Sequence, residues 1–546
     1  MPKRLVRAGM VAIIVSCFGQ LGGQPLTEPD EARYAEIPRE MLVLRDWVTP
    51  HLNFVKYFEK PPLVYWLVAA TFALLGPSDF LARLWLGVFA STSIVVAYVL
   101  ARSIYGLWTA RAAAALLAAT PLFFGVGHVL TLDTPLSAFM ALGLGSFWLA
   151  YQHGRRRRAY IVALHAATAL GVLTKGPVAV VLTAAVILVF LLLHRDLRAV
   201  RWVLSPGGVS VFVLIALPWF VLVTLRNPEF LAYFVIDQHL GRYLRPSEHR
   251  QPFWFYAPIV LGGALPWSGF AVLSPGFVAP MLRRLLTLRV SAGTLFLAIW
   301  CAVVFLFFSV SGSKLGTYVL PMFCPLAVLA ARFFEHVLRR DTASVLRRGY
   351  GLTLLIGVLA AAGGWLVPVV VDYPDVVFVA WWLSACGIVL AGAAGAALWM
   401  TRRGALQGSL AVLWLGMLVF GLVAMQVRPV AGTYPRLGEA IRVAARPQDL
   451  VVGYAHYVQG ITYYGRHRVV QARAYGELDF GRRQGDDGTF FWKTDDDLLR
   501  AWSSGQRLFL VINRTELERL RPRMQPEPRE LAGEDKKVIV VNFDAE

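Results

Sequence analysis

The sequence predicts a polytopic α-helical membrane protein with a small α/β domain at its C-terminal end. Three observations predict this class. Hydrophobic residues make up 57% of the 546, and charged residues only 16%, where soluble domains carry about 25% charged residues. Apolar runs approaching the ~20 residues that a membrane-crossing helix needs recur from residue 8 to residue 427. Beyond residue 428 the apolar runs shorten to strand length and alternate with helical patterns.

Fourteen segments are candidate spans: 8–24, 61–76, 81–101, 110–128, 134–152, 159–174, 177–194, 207–225, 256–274, 291–310, 316–334, 350–371, 377–400 and 406–427. The first follows a basic start, as in a signal peptide, but lacks a convincing small-x-small cleavage site, so it is read as an uncleaved span. Charge selects among the rest. With the N-terminus in the cytoplasm and every segment crossing, Arg155–Arg158 and Arg195, Arg198 and Arg201 fall outside, against the positive-inside rule. Segment 61–76 is the shortest, opened by Pro61-Pro62 and closed by Gly76-Pro77. Laying it on the outer surface turns all the basic loops inward, with only Asp196, Glu335 and Asp341 among them. About 13 transmembrane helices result, with the C-terminus outside.

This topology gathers polar segments on the outer side: the loop 25–80, the turn His128–Asp133, the turn at Lys175, the loop 226–255, and Ser309–Tyr318. Within 25–80, Asp30–Leu44 has helical periodicity, and Pro38 predicts a break or a second short helix. Two or three helices are expected to lie flat at the interface there. The domain division is then a transmembrane domain, 1–427, containing this juxtamembrane loop, and an outer α/β domain, 428–546. Strands are predicted at Asp449–Tyr454, Arg468–Gln471, Leu508–Asn513 and Lys537–Phe543, with helices near 436–446, 457–465, 495–502 and 515–521. The acidic patch Asp486, Asp487 and Asp495–Asp497 reads as solvated surface.

The net charge of +19 would suggest nucleic acid on a soluble protein. Here the arginines lie between apolar runs and no basic run is interleaved with aromatics, so they read as topology signals and contacts to anionic lipid. The four cysteines lie in or beside apolar runs without metal-ligand spacing and read as small buried hydrophobes.

Candidate chemistry concentrates in the outer segments. Asp30 reads either as a helix cap or as a functional acid, and Arg33 with Glu36 as a helix-surface pair or as part of a site. In Tyr57-Phe58-Glu59-Lys60-Pro61-Pro62 the prolines set the chain direction, and Lys60 stands where loop meets apolar segment. It either snorkels to lipid headgroups or binds a phosphate. Asp133, in Thr131-Leu132-Asp133-Thr134-Pro135, either caps the next span or acts. Lys175 lies on the outer side against the general charge bias and either snorkels or meets an anion, the second being the preferred reading. The loop 226–255 holds His239 and Arg245, and Ser313, Lys314 and Tyr318 add donors. Glu59 with His239 could bind zinc, since carboxylate and imidazole both suit it.

The blocks PDEARYAEIPREM (29–41), FEKPPLVYW (58–66), TLDTPL (131–136) and LTKGP (173–177) resemble the bacterial 4-amino-4-deoxy-L-arabinose (L-Ara4N) lipid A transferases. These are aminoarabinose transferases of the GT-C superfamily, related to protein O-mannosyltransferases. The resemblance covers about 8–430 and implies an inverting lipid-linked glycosyltransferase of the Gram-negative inner membrane, with its site and C-terminal domain facing the periplasm. It implies undecaprenyl phosphate-L-Ara4N as donor, a lipid A phosphate as acceptor, and resistance to polymyxin and other cationic peptides. The implied catalytic residues are Asp30, Asp133 and Lys60, with Arg33, Tyr34, Tyr57, Lys175 and Arg245 around donor phosphate and substrate, and a metal at Glu59 and His239. No cofactor is required, and a monomer is expected. Two alternatives stand beside it: another GT-C enzyme acting on protein or glycan, and a lipid or sugar transporter. The absence of internal repeats and the placing of charges at span ends weigh against the transporter.

Overall fold

A computed structural model describes residues 3–241, 250–370, 376–427, 432–485 and 489–544, with the side chains of 3–8, 239 and 240 outside the description. The chain divides into two compact units, one of Met1–Leu21 with Arg83–Arg428, the other of Gly22–Ala82 with Pro429–Glu546. The juxtamembrane loop thus packs with the C-terminal domain rather than with the helices that flank it in sequence.

The first unit is helical. Among the described residues, seven helices are long and apolar enough to cross a membrane: Asp79–Tyr105, Pro206–Arg226, Ala292–Val310, Gly316–Arg339, Ala343–Val370, Val376–Arg402 and Leu406–Ala424. In the most apolar stretch of Ala343–Val370 only 17% of residues are buried, and in that of Pro206–Arg226 only 22%. The exposed side chains there are Leu355, Leu359, Trp365, Leu214 and Leu225. Such apolar faces are far larger than soluble proteins leave to water and belong in hydrocarbon. The chain is therefore a polytopic membrane protein.

Proline punctuates the predicted spans. The run 110–128 becomes Leu107–Ala118 and Pro121–Val126, with Pro121 opening the second helix. The run 256–274 breaks around Pro266 into Tyr256–Gly263 and Trp267–Val272. Helices Ala343–Val370 and Val376–Arg402 pack backbone to backbone. A Cβ on Gly357 would lie 2.5 Å from the Ala391 nitrogen, and one on Gly387 2.2 Å from the Ala361 nitrogen. Small residues at such crossings let dispersion and close approach hold helices together in lipid, where the hydrophobic effect supplies no force between them. Helices Asp133–Gln152 and Arg157–Lys175 form an adjacent pair. The end of the second and the start of the first come together, as the Asp133–Lys175 contact below requires.

The second unit is built on a six-stranded mixed sheet. Its strands are β1 (Leu450–Tyr454), β2 (Val469–Ala472), β3 (Phe491–Trp492), β4 (Leu508–Asn513), β5 (Arg529–Glu534) and β6 (Lys537–Val541), in the order β3-β2-β1-β4-β6-β5. Pairings among β1, β2, β3 and β4 are parallel; β6 runs antiparallel to both β4 and β5. Alternate residues feed two cores. Val452, Val470, Leu508, Leu510 and Val540 pack with Leu498 and Trp502 on one face. Val451, Val469, Phe509, Val511 and Ile539 pack with Leu437 and Ile441 on the other. The four predicted strands are present; β3 and β5 were not predicted, the first being two residues long and the second polar and half-exposed. In the acidic patch, Asp497 completes a capping box with Thr494 and Asp495 pairs with Arg519; Asp486 and Asp487 lie outside the described residues.

The 22–82 segment is laced into this unit. One helix runs Asp30–Leu44 straight through Pro38, so the predicted break does not occur. The proline lacks one amide donor, and the burial of Tyr34, Ala35, Ile37 and Met41 outweighs that local defect. A two-residue turn at Asn53-Phe54 joins His51–Leu52 to Val55–Lys56, both turn residues having positive φ (52° and 63°), as a type I′ hairpin requires. The buried Asn53 amide donates to the Val469 carbonyl (2.7 Å) and its oxygen accepts the Val469 amide (2.9 Å). The Glu40 carboxylate accepts the Phe54 amide at 2.8 Å.

Asn53→Ala strands both backbone groups of Val469 at the start of β2. Since each buried unsatisfied group costs about 1–3 kcal/mol, the unit should lose about 2–6 kcal/mol. Thermal unfolding in detergent checks this, and an unchanged transition would contradict the role given to Asn53.

Candidate active site

The structure places Asp30, Arg33, Tyr34 and Tyr57 in a polar cluster of the second unit, and Asp133 and Lys175 in one of the first. In the second unit Arg33 is the hub. Its side chain is only 12% exposed. Asp30 lies 3.3 Å from one terminal nitrogen, Glu477 lies 2.7 Å from Nε as an ion pair without an aligned hydrogen bond, and the other terminal nitrogen donates to the Tyr57 hydroxyl at 3.3 Å. The guanidinium also lies 5.6 Å from the centre of the Tyr34 ring. Tyr34 in turn faces Tyr65, with ring centres 6.0 Å apart. The Tyr65 hydroxyl is buried without a hydrogen-bond partner among the described residues. Burial holds the Tyr34 and Tyr57 phenols protonated, well above the usual range.

Local sequence explains these positions. Asp30 and Arg33 stand one helical turn apart near the start of Asp30–Leu44. Asp30 makes no side-chain cap. Glu31 reaches back instead, accepting the Thr27 amide (3.0 Å) and hydroxyl (2.9 Å). Glu36 is not paired with Arg33, as a surface helix would have it, but is buried in a two-pronged bond with Arg39 (2.6 and 2.7 Å). Asp30 is thus left as the most open carboxylate of the group, its side chain 46% exposed. Glu59 is buried and Lys60 half-buried just before helix Leu63–Leu75, and Phe58 packs its ring on Phe480 at 5.8 Å.

Glu477 and Glu28 lie outside every sequence motif considered. Glu477 is held beside Arg33, accepts a hydrogen bond from the Gln459 amide group, and is raised above the ordinary carboxylate range by burial, with Arg33 pulling it back. Glu28 accepts the backbone amides of Gln459 (3.1 Å) and Gly460 (2.5 Å). Burial raises it from 4.5 to about 7, against those two donors, and Glu477 adds to the rise.

In the first unit the centre is Asp133, 5% exposed, at the first position of Asp133–Gln152. It does not cap its helix by a side-chain bond. One oxygen accepts from Lys175 Nζ at 2.5 Å and the other from the Thr317 hydroxyl at 2.9 Å. Lys175 ends its own helix and sits 4.4 Å from the centre of the Tyr318 ring. An acid at a helix start and a base at a helix end each complement the helix dipole. Nearby, the Tyr256 hydroxyl donates to the Leu315 carbonyl (3.1 Å), and Lys314 Nζ donates to the carbonyls of Gln251 (2.9 Å) and Ser311 (2.5 Å).

Arg245 lies outside the described residues, as does the side chain of His239, whose backbone falls in the π-helix Ala232–Gly241. Among the described residues no three His, Cys, Asp or Glu side chains gather to hold a metal. Glu59 therefore has no ligand set around it there, and no step is derived through a metal.

Comparison with known proteins places this geometry. The dolichyl-phosphate-mannose-protein mannosyltransferase family matches residues 59–221, and the aminoarabinose transferase C-terminal domain family matches 437–542. An oligosaccharyltransferase from Archaeoglobus fulgidus, tethered to an acceptor peptide, shares the fold at TM-score 0.52 and 13% identity, covering 95% of this chain and 70% of that one. ArnT from Cupriavidus metallidurans, crystallised with undecaprenyl phosphate, is similar at TM-score 0.87 and 29% identity over 100% of this chain and 99% of that one. Undecaprenyl phosphate-α-4-amino-4-deoxy-L-arabinose arabinosyl transferases are 34% identical in Edwardsiella ictaluri over 342 residues, and in Pseudomonas aeruginosa over 367. Those matches span 62% and 64% of this chain and 60% and 64% of the relatives, so the chain spans under two thirds of the length of these curated relatives. The fold is that of the GT-C membrane glycosyltransferases. Within that class, the chain is similar to the aminoarabinose transferases, in its C-terminal domain and over its whole length in the ArnT structure.

Two outcomes follow. Because folded Glu28 holds its proton up to about pH 7, the folded state binds more protons than the unfolded one between about pH 4.5 and 7. Its contribution is fully present at the acid end and falls as pH rises through that window. Relative to Glu28→Gln, the wild-type melting temperature should therefore decline from pH 5 to 7 and run parallel above; parallel curves throughout would refute the assignment. Second, Lys175→Met leaves a buried carboxylate without its cation, costing about 3–5 kcal/mol. Adding Asp133→Asn should recover much of that loss in the same unfolding measurement.

Proposed function

We propose that this chain transfers 4-amino-4-deoxy-L-arabinose from undecaprenyl phosphate to lipid A phosphate groups, and so confers resistance to polymyxin and other cationic peptides. The observation that carries the proposal is the whole-length likeness to a transferase crystallised with undecaprenyl phosphate, together with acid–base clusters at the sequence blocks that carry the resemblance. The setting is the bacterial inner membrane. The chain crosses it about 13 times as a monomer, with both clusters and the C-terminal domain facing the periplasm.

In this mechanism the leaving group is undecaprenyl phosphate. Its departing charge needs preorganised cations, which Lys60 and Arg245 supply. Lys175 is committed to Asp133, so it keeps that acid aimed rather than clamping phosphate on its own. Arg33, held by Asp30, Glu477 and Tyr57, contributes a fixed positive field beside Tyr34. The lipid A phosphate is already ionised at neutral pH and attacks with little general-base help. Asp30 and Asp133 orient the acceptor, or hold the sugar's C4 ammonium or the positive charge developing at the anomeric carbon. Tyr65, with its unsatisfied hydroxyl, offers a hydrogen bond to a sugar oxygen. Direct displacement inverts the anomeric centre: the phosphate oxygen of lipid A forms the new bond as the bond to undecaprenyl phosphate breaks. Electrostatics also explains the cellular outcome, since a cationic sugar masks an anionic phosphate.

A second reading, transfer of a hexose to protein or glycan, draws on the mannosyltransferase match over 59–221. The deciding experiment is mass spectrometry of lipid A from a host that makes the aminoarabinose donor but lacks its own transferase. Expression of this chain should add one aminopentose. No addition, with protein present in the membrane, would favour the second reading. In the same assay Lys60→Ala should abolish transfer without loss of folded protein, and Asp30→Asn should reduce it at least tenfold.

A further inference from the structure

The helical unit contains a cavity of about 590 Å³ that belongs to neither polar cluster. Its walls come from the N-terminal helix (Met10, Ile13), Asp79–Tyr105 (Ser91 to Val99), Leu107–Ala118 (Trp108, Arg111, Ala115) and Leu406–Ala424 (Gln407 to Trp414), with Trp267 and Phe334 between them. Its volume falls in the range of small-ligand sites, about 300–1,000 Å³. Ser91 to Val99 represents about 12 Å of helix, so the cavity is an elongated slot.

Four features bear on its occupant. The walls are overwhelmingly hydrocarbon, and the rim residues Met10, Ile14, Val95 and Val99 are exposed, so the slot opens to the bilayer core. Apart from Ser91 and Trp267, the polar lining gathers at one end. Trp108, Arg111 and Gln407 all stand within the first turns of their helices, and Tyr98 and Val99 lie at the far end of the Ser91–Val99 wall. Tryptophan and tyrosine favour the headgroup level of a bilayer. Arg111 is exposed and has no ion pair or hydrogen bond among the described residues. Trp267 is only 5% exposed, and its indole N–H is buried without an acceptor among the described residues. A buried donor without a partner beside a cavity points to a missing oxygen.

We propose that this slot binds one anionic glycerophospholipid, its acyl chain between the N-terminal helix and helices Asp79–Tyr105 and Leu406–Ala424, and its phosphate on Arg111. An ester or phosphate oxygen of that lipid would meet the Trp267 donor. The charge of Arg111 selects the headgroup, because a cation at the membrane surface attracts anionic lipid; the apolar slot selects the chain. The bound lipid acts as a structural filler. Trp414, which donates its indole N–H across to the Ala115 carbonyl at 2.8 Å, then has packed hydrocarbon beside it instead of a void.

Native mass spectrometry of the full chain tests this, after reconstitution in nanodiscs of equal phosphatidylglycerol and phosphatidylcholine. The wild type should release with one phosphatidylglycerol bound. Arg111→Ala should lower that occupancy about fivefold, the effect of about one surface cation, while Arg111→Lys retains most of it. Ala411→Leu, which fills the slot from its wall, should remove the lipid with the unfolding temperature kept. Equal retention of the two phospholipids would overturn the proposal, as would an Arg111→Ala protein that binds like the wild type. So would undecaprenyl phosphate as the bound species, or an Ala411→Leu protein that still carries its lipid.

Discussion

A guanidinium taken out of water must be answered by the protein around it, and Arg33 shows what that demands. Desolvating an ion costs several kcal/mol even after relaxation. Around Arg33 the cost is met by a carboxylate one helical turn away, a second carboxylate more than four hundred residues on, and a phenol from the strand-turn segment before helix Leu63–Leu75. Remove any of these and the charge is under-compensated. The consequence reaches beyond one side chain, because Glu477 can stand there only if the C-terminal sheet domain has folded against the 22–82 segment. The Asn53 bonds to Val469 and the Glu28 bonds to Gln459 and Gly460 serve the same joining. The acid-rich first motif is thus mostly structural in its acids. Glu31, Glu36 and Glu40 each satisfy a neighbour, which leaves Asp30, paired with Arg33, as the most open carboxylate there.

The same logic operates in lipid for Asp133. A buried acid at a helix start is stabilised by the dipole, by Lys175 and by Thr317. With both oxygens engaged, its orientation is set before any substrate arrives. Preorganisation of this kind is what electrostatic catalysis needs, since no reorganisation is then required as charge develops. Elsewhere in the helical unit buried polar groups are answered locally, as Glu335 is by Thr109, Arg332 and Arg339. Packing is carried by close backbone approach at Gly357 and Gly387 and by interlocking aromatics such as Phe147, Trp148, Phe190 and Phe296.

Local signals carried far in this chain. Helices Asp133–Gln152, Pro206–Arg226, Ala292–Val310 and Leu406–Ala424 sit close to their apolar runs, because in hydrocarbon the backbone has no alternative to its own hydrogen bonds. Strands β1, β2, β4 and β6 were legible for a similar reason, being buried on both faces and rich in β-branched residues. Pro38 misled, since a proline's local cost says nothing of the burial that offsets it. β3 and β5 were missed because one is too short and the other too polar to carry a period.

The residues Asp30, Lys60, Asp133 and Lys175 could be singled out from sequence alone, because a charge beside an apolar run needs a reason wherever it falls. Membrane residence, the α/β character of the C-terminal end and the family resemblance were determined at that level too, each by composition, period or contiguous motif. Partners were not. Glu477 and Glu28 look like ordinary polar residues until the sheet domain and the 22–82 segment fold together. The pairing of Lys175 with Asp133, the idle hydroxyl of Tyr65 and the slot beside Arg111 likewise exist only in three dimensions. Contacts between residues hundreds of positions apart leave no local pattern, and burial, which sets both the pairing and the titration of these groups, belongs to the tertiary structure.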